Sequence, residues 1–177
     1  MPELILITGG ARSGKSRFAT ELALGFSSQV VFVATASCYS DPEMEKRINL
    51  HRKSRPSHWE TIEEEKDVAS VLSKINSSQK VVIIDCLTLL VSNLLLEKKG
   101  EKEILDQVKA IADKGRKLNR ATIVVSNEVG WGVVPATKLG REFRDIAGVA
   151  NQIIAREANQ VWLIVCGIPY KLKEEKI

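Results

Sequence analysis

The sequence predicts an α/β fold in which a mostly parallel sheet is covered by helices on both faces. Short apolar runs rich in Val and Ile alternate along the chain with longer segments whose apolar residues recur at helical spacing. The short runs are apolar throughout, which is typical of strands buried on both faces, as in parallel sheets. A length of 177 residues suits one domain with a sizeable core.

The predicted elements follow one another without a linker or an internal repeat. The first strand covers Leu4 to Ile7, and a helix from Ser16 to Leu24 ends at Gly25. A helix also begins at Asp41-Pro42, where Pro suits the first helical position, and runs to about Lys53. The other predicted elements are strands 29–34, 80–84, 121–126 and 160–165, helices 66–75, 87–97, 101–118 and 138–158, and a short basic tail. Segment 87–97 is more apolar than one helix face needs, which favours contact with a partner subunit.

Composition excludes several classes of protein. The chain is 44% apolar and 27% charged, as in ordinary globular proteins, and no apolar run is long enough to span a membrane. Three widely spaced cysteines without a C-x-x-C pair argue against a disulfide framework or a zinc site. The net charge of +4 is modest and does not require a nucleic-acid partner. We therefore expect a cytoplasmic protein with no membrane span and no nucleic-acid ligand.

Residues 9–16, GGARSGKS, fit the phosphate-binding pattern G-x-x-x-x-G-K-[ST] directly after the first predicted strand. The glycines let backbone N–H groups converge on phosphate oxygens, and the following helix directs its positive dipole end at the same anion. Lys15 would contact the β- and γ-phosphates, and the Ser16 hydroxyl would complete the coordination of Mg²⁺. The loop predicts binding of a nucleoside triphosphate and a fold of the P-loop NTPase type, in its RecA-like form.

Ligands of such sheets bind where the parallel strands end at their carboxyl edge. Asp85 follows four apolar residues at that edge, so it could hold the Mg²⁺ ion together with Ser16. A simpler reading is that Asp85 caps the next helix, and the two roles are compatible. Residues 126–132, SNEVGWG, form either a substrate loop or a plain connection, and Trp131 is expected to be a packing residue.

The most unusual segment, residues 47–59, contains both histidines of the chain among several Lys and Arg residues. It is either a solvated cationic helix face or a group that contacts the triphosphate. Cationic side chains stabilise charge that develops at phosphorus, and a neutral imidazole can act as a nucleophile that forms a covalent intermediate.

Motifs along nearly the whole chain resemble the bifunctional adenosylcobinamide kinase/adenosylcobinamide-phosphate guanylyltransferase family of cobalamin biosynthesis. The matching segments are TGGARSGKSRFA from residue 8, VATA at 33–36, the run from DPEMEKRI to HRKSRPSHW at 41–59, DCLTLLVSNLL at 85–95, SNEVGWGVVP at 126–135, FRDIAGVANQ at 143–152 and GIPYKLK at 167–173. In combination these motifs are far more specific than the phosphate loop alone.

The resemblance implies two reactions on adenosylcobinamide, with ATP or GTP as phosphate donor and GTP as guanylyl donor. A nucleoside triphosphate phosphorylates the substrate, and GMP is then transferred to that phosphate through a guanylylated histidine, which the R-I-x-x-H-[RK] motif places at His51. The implied catalytic residues are His51 and Lys15, and the implied Mg²⁺ ligands are Ser16 and Asp85. The implied nucleotide contacts are Gly9, Gly10, Ala11, Arg12, Ser13, Gly14, Lys15, Ser16, Thr35, Ala36, Ser37, Arg55, Pro56, Ser57, His58, Glu63 and Asp85. The family also forms trimers, so residues 1–177 are expected to be one nucleotide-binding catalytic domain of a homotrimer.

Two other interpretations stay open at this point. A plain P-loop small-molecule kinase would use the basic helix as a lid and leave His51 without a chemical role. A nucleic-acid-binding module would use residues 46–55 as a basic patch, although no aromatic stacking pattern accompanies them. The sequence does not choose between ATP and GTP as phosphate donor.

Overall fold

A computed structural model describes residues 3–36, 42–53, 55–76 and 78–175. Within these ranges the strands are β1 (Glu3–Gly9), β2 (Val30–Ala34), β3 (Glu60–Glu63), β4 (Val81–Asp85), β5 (Ala121–Val125), β6 (Gln160–Val165) and β7 (Ile168–Glu174). The helices are α1 (Lys15–Phe26), α2 (Pro42–Lys53), α3 (Val68–Lys74), α4 (Leu87–Leu96), α5 (Glu101–Lys117) and α6 (Lys138–Glu157).

The described strands form one sheet in the order β3-β2-β4-β5-β1-β6-β7. All neighbouring pairs are parallel except β6 and β7, which are antiparallel. Strand β1 lies inside the sheet between β5 and β6, and β5 separates it from β4. The loops after β1, β4 and β5 therefore meet at one edge of the sheet, and the predicted mostly parallel α/β fold is confirmed.

The sheet has a hydrophobic core on each face, as the continuous apolar strands predict. On one face, side chains of α3, α4, α5 and α6 pack against alternate strand residues such as Leu4 and Leu6. On the other face, Ala19 and Ala23 of α1 pack with Ile5 and Ile7. Successive side chains of a strand point to opposite faces, so the one apolar run of β1 supplies both cores.

Two strands were not predicted. β3 is short, polar and paired on one side only, so it lacks the apolar run that marks the other strands. The expectation of a basic tail after β6 is wrong, because residues 168–174 form β7. A two-residue turn joins β6 to β7, with positive φ angles at Cys166 (52°) and Gly167 (80°). Such turns match the twist of antiparallel strands.

The structure bears on two further expectations about helices. Helix α1 continues to Phe26, so Gly25 does not end it, and Asp41 lies outside the described residues. Helix α4 buries most of its residues within the chain, so its apolar character does not require a partner subunit. In the part of the chain that the structure describes, no helix has both the length and the apolar character that crossing a bilayer demands.

Helix α4 provides a matched pair for a test of the core. Leu94 is 1% exposed and Leu96 is 51% exposed. Leu94→Ala is expected to lower the free energy of unfolding by about 2–5 kcal/mol, because it leaves a cavity among packed side chains. Leu96→Ala should change it by less than about 1 kcal/mol, because its side chain is already half in water. Denaturant unfolding of both variants measures the difference, and equal losses would contradict the packing described here.

Candidate functional site

The phosphate-binding loop connects β1 directly to α1. Gly9 and Gly14 have φ angles of +151° and +101°, which residues other than glycine rarely adopt. A Cβ atom at Gly9 would lie 2.4 Å from the carbonyl oxygen of Ile164 in β6. The backbone N–H of Gly167 donates a hydrogen bond of 2.9 Å to the carbonyl of Ser13. The β6–β7 turn therefore supports the loop from the side.

A cavity of about 460 Å³ opens above this loop at the carboxyl edge of the sheet. Cationic and polar residues of the loop and of the segment around α2 form one part of its wall, and apolar residues form another. The lining residues are Arg12, Ser13, Gly14, Lys15, Ser16, Arg17, Ala34, Ala36, Ile48, Arg52, Arg55, Glu63, Asp85, Cys86, Leu89, Val125 and Asn127. Its mixture of cations, two strand-end carboxylates (Glu63 and Asp85) and apolar surface fits a nucleotide, which has both phosphates and a base.

Ser16 and Asp85 meet at the base of the cavity. The Ser16 hydroxyl donates a hydrogen bond of 2.9 Å to Oδ2 of Asp85. The N-cap residue of α4 is Cys86, so Asp85 ends β4 without capping the next helix. A hydroxyl and a carboxylate oxygen in contact are the kind of donors that Mg²⁺ prefers. These two residues therefore fit the ion, and they would hold it next to the phosphate loop.

Lys15 is buried at the start of α1, and its Nζ atom donates a hydrogen bond of 2.6 Å to the carbonyl of Gly10. Burial lowers the pKa of Lys15, and the nearby carboxylates of Asp85 and Glu128 oppose that change. The hydrogen bond to the Gly10 carbonyl holds the ammonium group at the phosphate-binding loop.

Arg52 and Arg55 also line the cavity and add positive charge to it. Arg52 forms an ion pair with Glu63, which links α2 to the edge strand β3. The Arg55 guanidinium lies 3.7 Å from the centre of the Phe32 ring, and burial lowers the pKa of Arg55. Among the described residues, Nε of Arg55 and Oγ of Ser13 are buried polar atoms that have no hydrogen-bond partner. Buried polar atoms nearly always have a partner, so both atoms fit contact with a bound anion.

The other predicted site residues have more varied positions. Pro56 and Ser57 line a neighbouring cavity of about 290 Å³, and His58 is exposed. Thr35 is fully buried, and its hydroxyl donates to the carbonyl and accepts from the N–H of Cys86, at 2.7 Å in both cases. Gly9, Gly10 and Ala11 belong to the loop but do not line the larger cavity, and Ser37 lies outside the described residues.

The position of His51 is given only by its backbone, which lies in α2. Its side chain lies outside the described part of the structure. Ile48 and Arg52, three residues before it and one after it, both line the cavity. Residue 51 is therefore on the turn of α2 that borders the cavity.

Several residues of the cavity wall were not named individually by sequence reasoning. Arg17, Arg52 and Asn127 line the cavity, and Asn127 donates a hydrogen bond of 2.8 Å to the Thr88 hydroxyl. Arg17 follows the phosphate loop directly, whereas Arg52 and Asn127 lie in segments 47–59 and 126–132, which the sequence had already marked as possible contacts. Trp131 is 71% exposed, so the expectation that it is a packing residue is wrong.

The sheet order, the glycine-dependent loop and the contact between Ser16 and Asp85 define a nucleotide-binding protein of the P-loop NTPase class. Two solved structures resemble the fold. The flagellar accessory protein FlaH of Methanocaldococcus jannaschii has a TM-score of 0.55 and 16% identity, over 98% of this chain and 79% of that one. The KaiC-like protein PH0186 of Pyrococcus horikoshii OT3 has a TM-score of 0.54 and 16% identity, over 92% of this chain and 70% of that one.

Sequence comparison gives the family. The profile of the family described as cobinamide kinase / cobinamide phosphate guanyltransferase matches residues 5–172. The bifunctional adenosylcobalamin biosynthesis protein CobU of Escherichia coli (strain K12) is 41% identical, over 96% of this chain and 99% of that protein. The corresponding CobP of Pseudomonas aeruginosa is also 41% identical, over 97% of this chain and 98% of that protein. The chain belongs to the cobinamide kinase/cobinamide phosphate guanyltransferase family.

The two adjacent glycines of the loop allow a test of its backbone. Gly9→Ala is expected to lower stability by about 1–3 kcal/mol, because the backbone is strained for any other residue and the new Cβ meets a carbonyl. Gly10→Ala is the control, because a Cβ at Gly10 would have no atom within 4 Å. Thermal unfolding without nucleotide measures both. A melting temperature of Gly9→Ala equal to that of Gly10→Ala would contradict the loop geometry.

Proposed function

We propose that residues 1–177 act as one catalytic domain that performs both the kinase and the guanylyltransferase reaction, with adenosylcobinamide as the substrate. It phosphorylates adenosylcobinamide with a nucleoside triphosphate and then transfers GMP from GTP to adenosylcobinamide phosphate, which gives adenosylcobinamide-GDP. The observation that carries this proposal is that the phosphate-binding loop, Arg52 and Arg55 line the same cavity. The family match over nearly the whole chain supports both activities.

In the kinase reaction, the acceptor hydroxyl attacks the γ-phosphorus and a nucleoside diphosphate leaves. Negative charge then increases on the oxygen that bridged the β- and γ-phosphates. The Lys15 ammonium and the loop N–H groups, held in place before the reaction, would stabilise that charge. Ser16 and Asp85 would hold Mg²⁺, which when bound neutralises phosphate charge.

In the guanylyl transfer, the attack is on the α-phosphorus of GTP. We assign the nucleophile to His51: an imidazole nitrogen bonds to the α-phosphorus, the bond to pyrophosphate breaks, and a phosphate oxygen of adenosylcobinamide phosphate then displaces the histidine. Support comes from the neighbours of His51 in α2, because Ile48 and Arg52 both line the cavity. Arg52 and Arg55 are suited to stabilise the leaving pyrophosphate.

The family resemblance also favours a homotrimer, which we include in the proposal. With α4 buried within the chain, the exposed apolar side chains of Ile168, Tyr170 and Leu172 on the edge strand β7 offer a surface for subunit contact. Light scattering on the purified protein should give three times the chain mass of 19.6 kDa. A mass equal to that of one chain would refute the trimer.

Lys15→Ala is expected to weaken GTP binding by about 10- to 100-fold, because hydrogen bonds to charged groups contribute about 1.5–3 kcal/mol. Titration calorimetry with Mg²⁺ and GTP measures the change. Lys102→Ala, on an exposed position of α5, is the matched control and should bind GTP as the unmodified protein does. If Lys15→Ala bound GTP as tightly as the unmodified protein, the assignment of the loop as the phosphate-binding site would be refuted.

Incubation with Mg²⁺ and GTP labelled at the α-phosphate should leave label on the denatured protein. A phosphorus–nitrogen bond to histidine predicts that this label is lost in acid and kept in alkali. His51→Ala should carry no label, whereas His58→Ala, an exposed position outside the cavity lining, should be labelled as fully as the unmodified protein.

The same experiment separates the proposed function from a plain kinase. Absence of label in the unmodified protein, under conditions where GTP demonstrably binds, would contradict guanylyl transfer through the protein. Label that persists in His51→Ala would show that another residue is the nucleophile.

A further inference from the structure

Glu128 lies beside the phosphate loop, at a position to which the reactions described above give no role. It follows β5, the strand between β1 and β4, and Asn127 immediately before it lines the cavity. Its backbone N–H donates a hydrogen bond of 3.0 Å to the carbonyl of Gly9, the first residue of the loop. Glu128 therefore follows the strand that lies between β1, which leads into the phosphate loop, and β4, which ends at Asp85.

Two buried side chains orient this carboxyl group through the same oxygen. The Thr8 hydroxyl donates to Oε1 at 2.7 Å, and Nδ2 of Asn151 donates to Oε1 at 3.2 Å. Asn151 is itself fixed by the Ser126 hydroxyl, which donates to its Oδ1 at 2.6 Å. Among the described residues, Oε2 of Glu128 accepts no hydrogen bond and the carboxylate forms no ion pair. One oxygen is thus held in place and the other keeps its capacity to accept a proton.

Glu128 also affects the pKa of Lys15, the residue that would contact the phosphates. Its charge raises the pKa of Lys15 against the larger effect of burial, so the carboxylate lies within electrostatic range of the Lys15 ammonium. If Glu128 only anchored the loop after β5, a charged carboxylate would not be needed at this position. The backbone bond to Gly9 already ties that loop to β1, and a neutral side chain could accept the bonds from Thr8 and Asn151 equally well.

We propose that Glu128 is the general base of the kinase reaction. As the acceptor hydroxyl oxygen bonds to the γ-phosphorus, its proton passes to the Glu128 carboxylate, while the bond from the γ-phosphorus to the β-phosphate oxygen breaks. The products are the phosphate ester and a nucleoside diphosphate, and the carboxylic acid then returns its proton to water. This inference rests on the proposed function. It also separates the two reactions, because the acceptor in guanylyl transfer is a phosphate that has no hydroxyl proton to lose.

The decisive variant is Glu128→Gln. Its side-chain oxygen can accept both hydrogen bonds that Oε1 accepts, while an amide nitrogen, which cannot take up the proton, replaces Oε2. General-base catalysis contributes about 10²- to 10⁴-fold, so the kcat for phosphorylation of adenosylcobinamide should fall at least about 100-fold. Guanylyl transfer to adenosylcobinamide phosphate that is supplied directly, and the Kd for GTP, should each stay within about threefold. Glu142→Gln, the same change on an exposed position of α6, is the control and should alter neither reaction.

A second variant guards against a loss of folding. Thr8→Val removes one of the two bonds to Oε1 but keeps the carboxylate, so the kinase kcat should fall by about tenfold while guanylyl transfer is retained. Equal losses of both reactions in Glu128→Gln, or full kinase activity in that variant beside an active unmodified protein, would overturn the role of Glu128. An unmodified protein without kinase activity would instead refute the proposed function, and the role of Glu128 with it.

Discussion

The turn of the chain from β1 into α1 is the constraint on which the rest of the site depends. Phosphate binding requires backbone N–H groups that point into the cavity, and the chain achieves this with positive φ angles at Gly9 and Gly14. The approach of Gly9 to the Ile164 carbonyl leaves no room for a side chain, and the N–H of Gly167, three residues further along the chain, holds the Ser13 carbonyl. The loop geometry is therefore set by β6 and the turn after it as much as by the loop's own sequence.

The second half of the site is held by contacts that keep positive charge at the edge of the sheet. Arg52 is paired with Glu63 of β3, and Arg55 lies over the ring of Phe32 in β2. Without such partners, two guanidinium groups near Lys15 would repel one another and the ammonium group. With them, cations from α2 and the segment after it line the same cavity as the phosphate loop. This arrangement can serve attack at either the γ- or the α-phosphorus, because both reactions release negative charge onto phosphate oxygens.

Beside the phosphate loop, a polar network connects three elements that are distant in sequence. Thr8 at the end of β1, the loop after β5 and Asn151 of α6 meet at the carboxyl group of Glu128. Buried polar groups are costly unless they are paired, so this network fixes one arrangement of the strand ends. It gives α6 a part in the site, although α6 has no residue in the cavity wall.

Local patterns in the sequence determined most of the fold and the central part of the site. Continuous apolar runs marked β1, β2, β4, β5 and β6, helical spacing marked the helices, and the glycine pattern placed Lys15 and Ser16. The meeting of Ser16 with Asp85 was also predictable, because carboxyl ends of parallel strands share one edge. Other features were decided only by the tertiary structure, because they depend on which strands are neighbours in the sheet. The short polar β3 is a strand only because it pairs with β2, and β7 only because a two-residue turn folds it onto β6. Arg52, Asn127 and Glu128 lie in segments 47–59 and 126–132, which the sequence marked as candidates with an alternative left open, and the tertiary structure decided that these segments meet at one site.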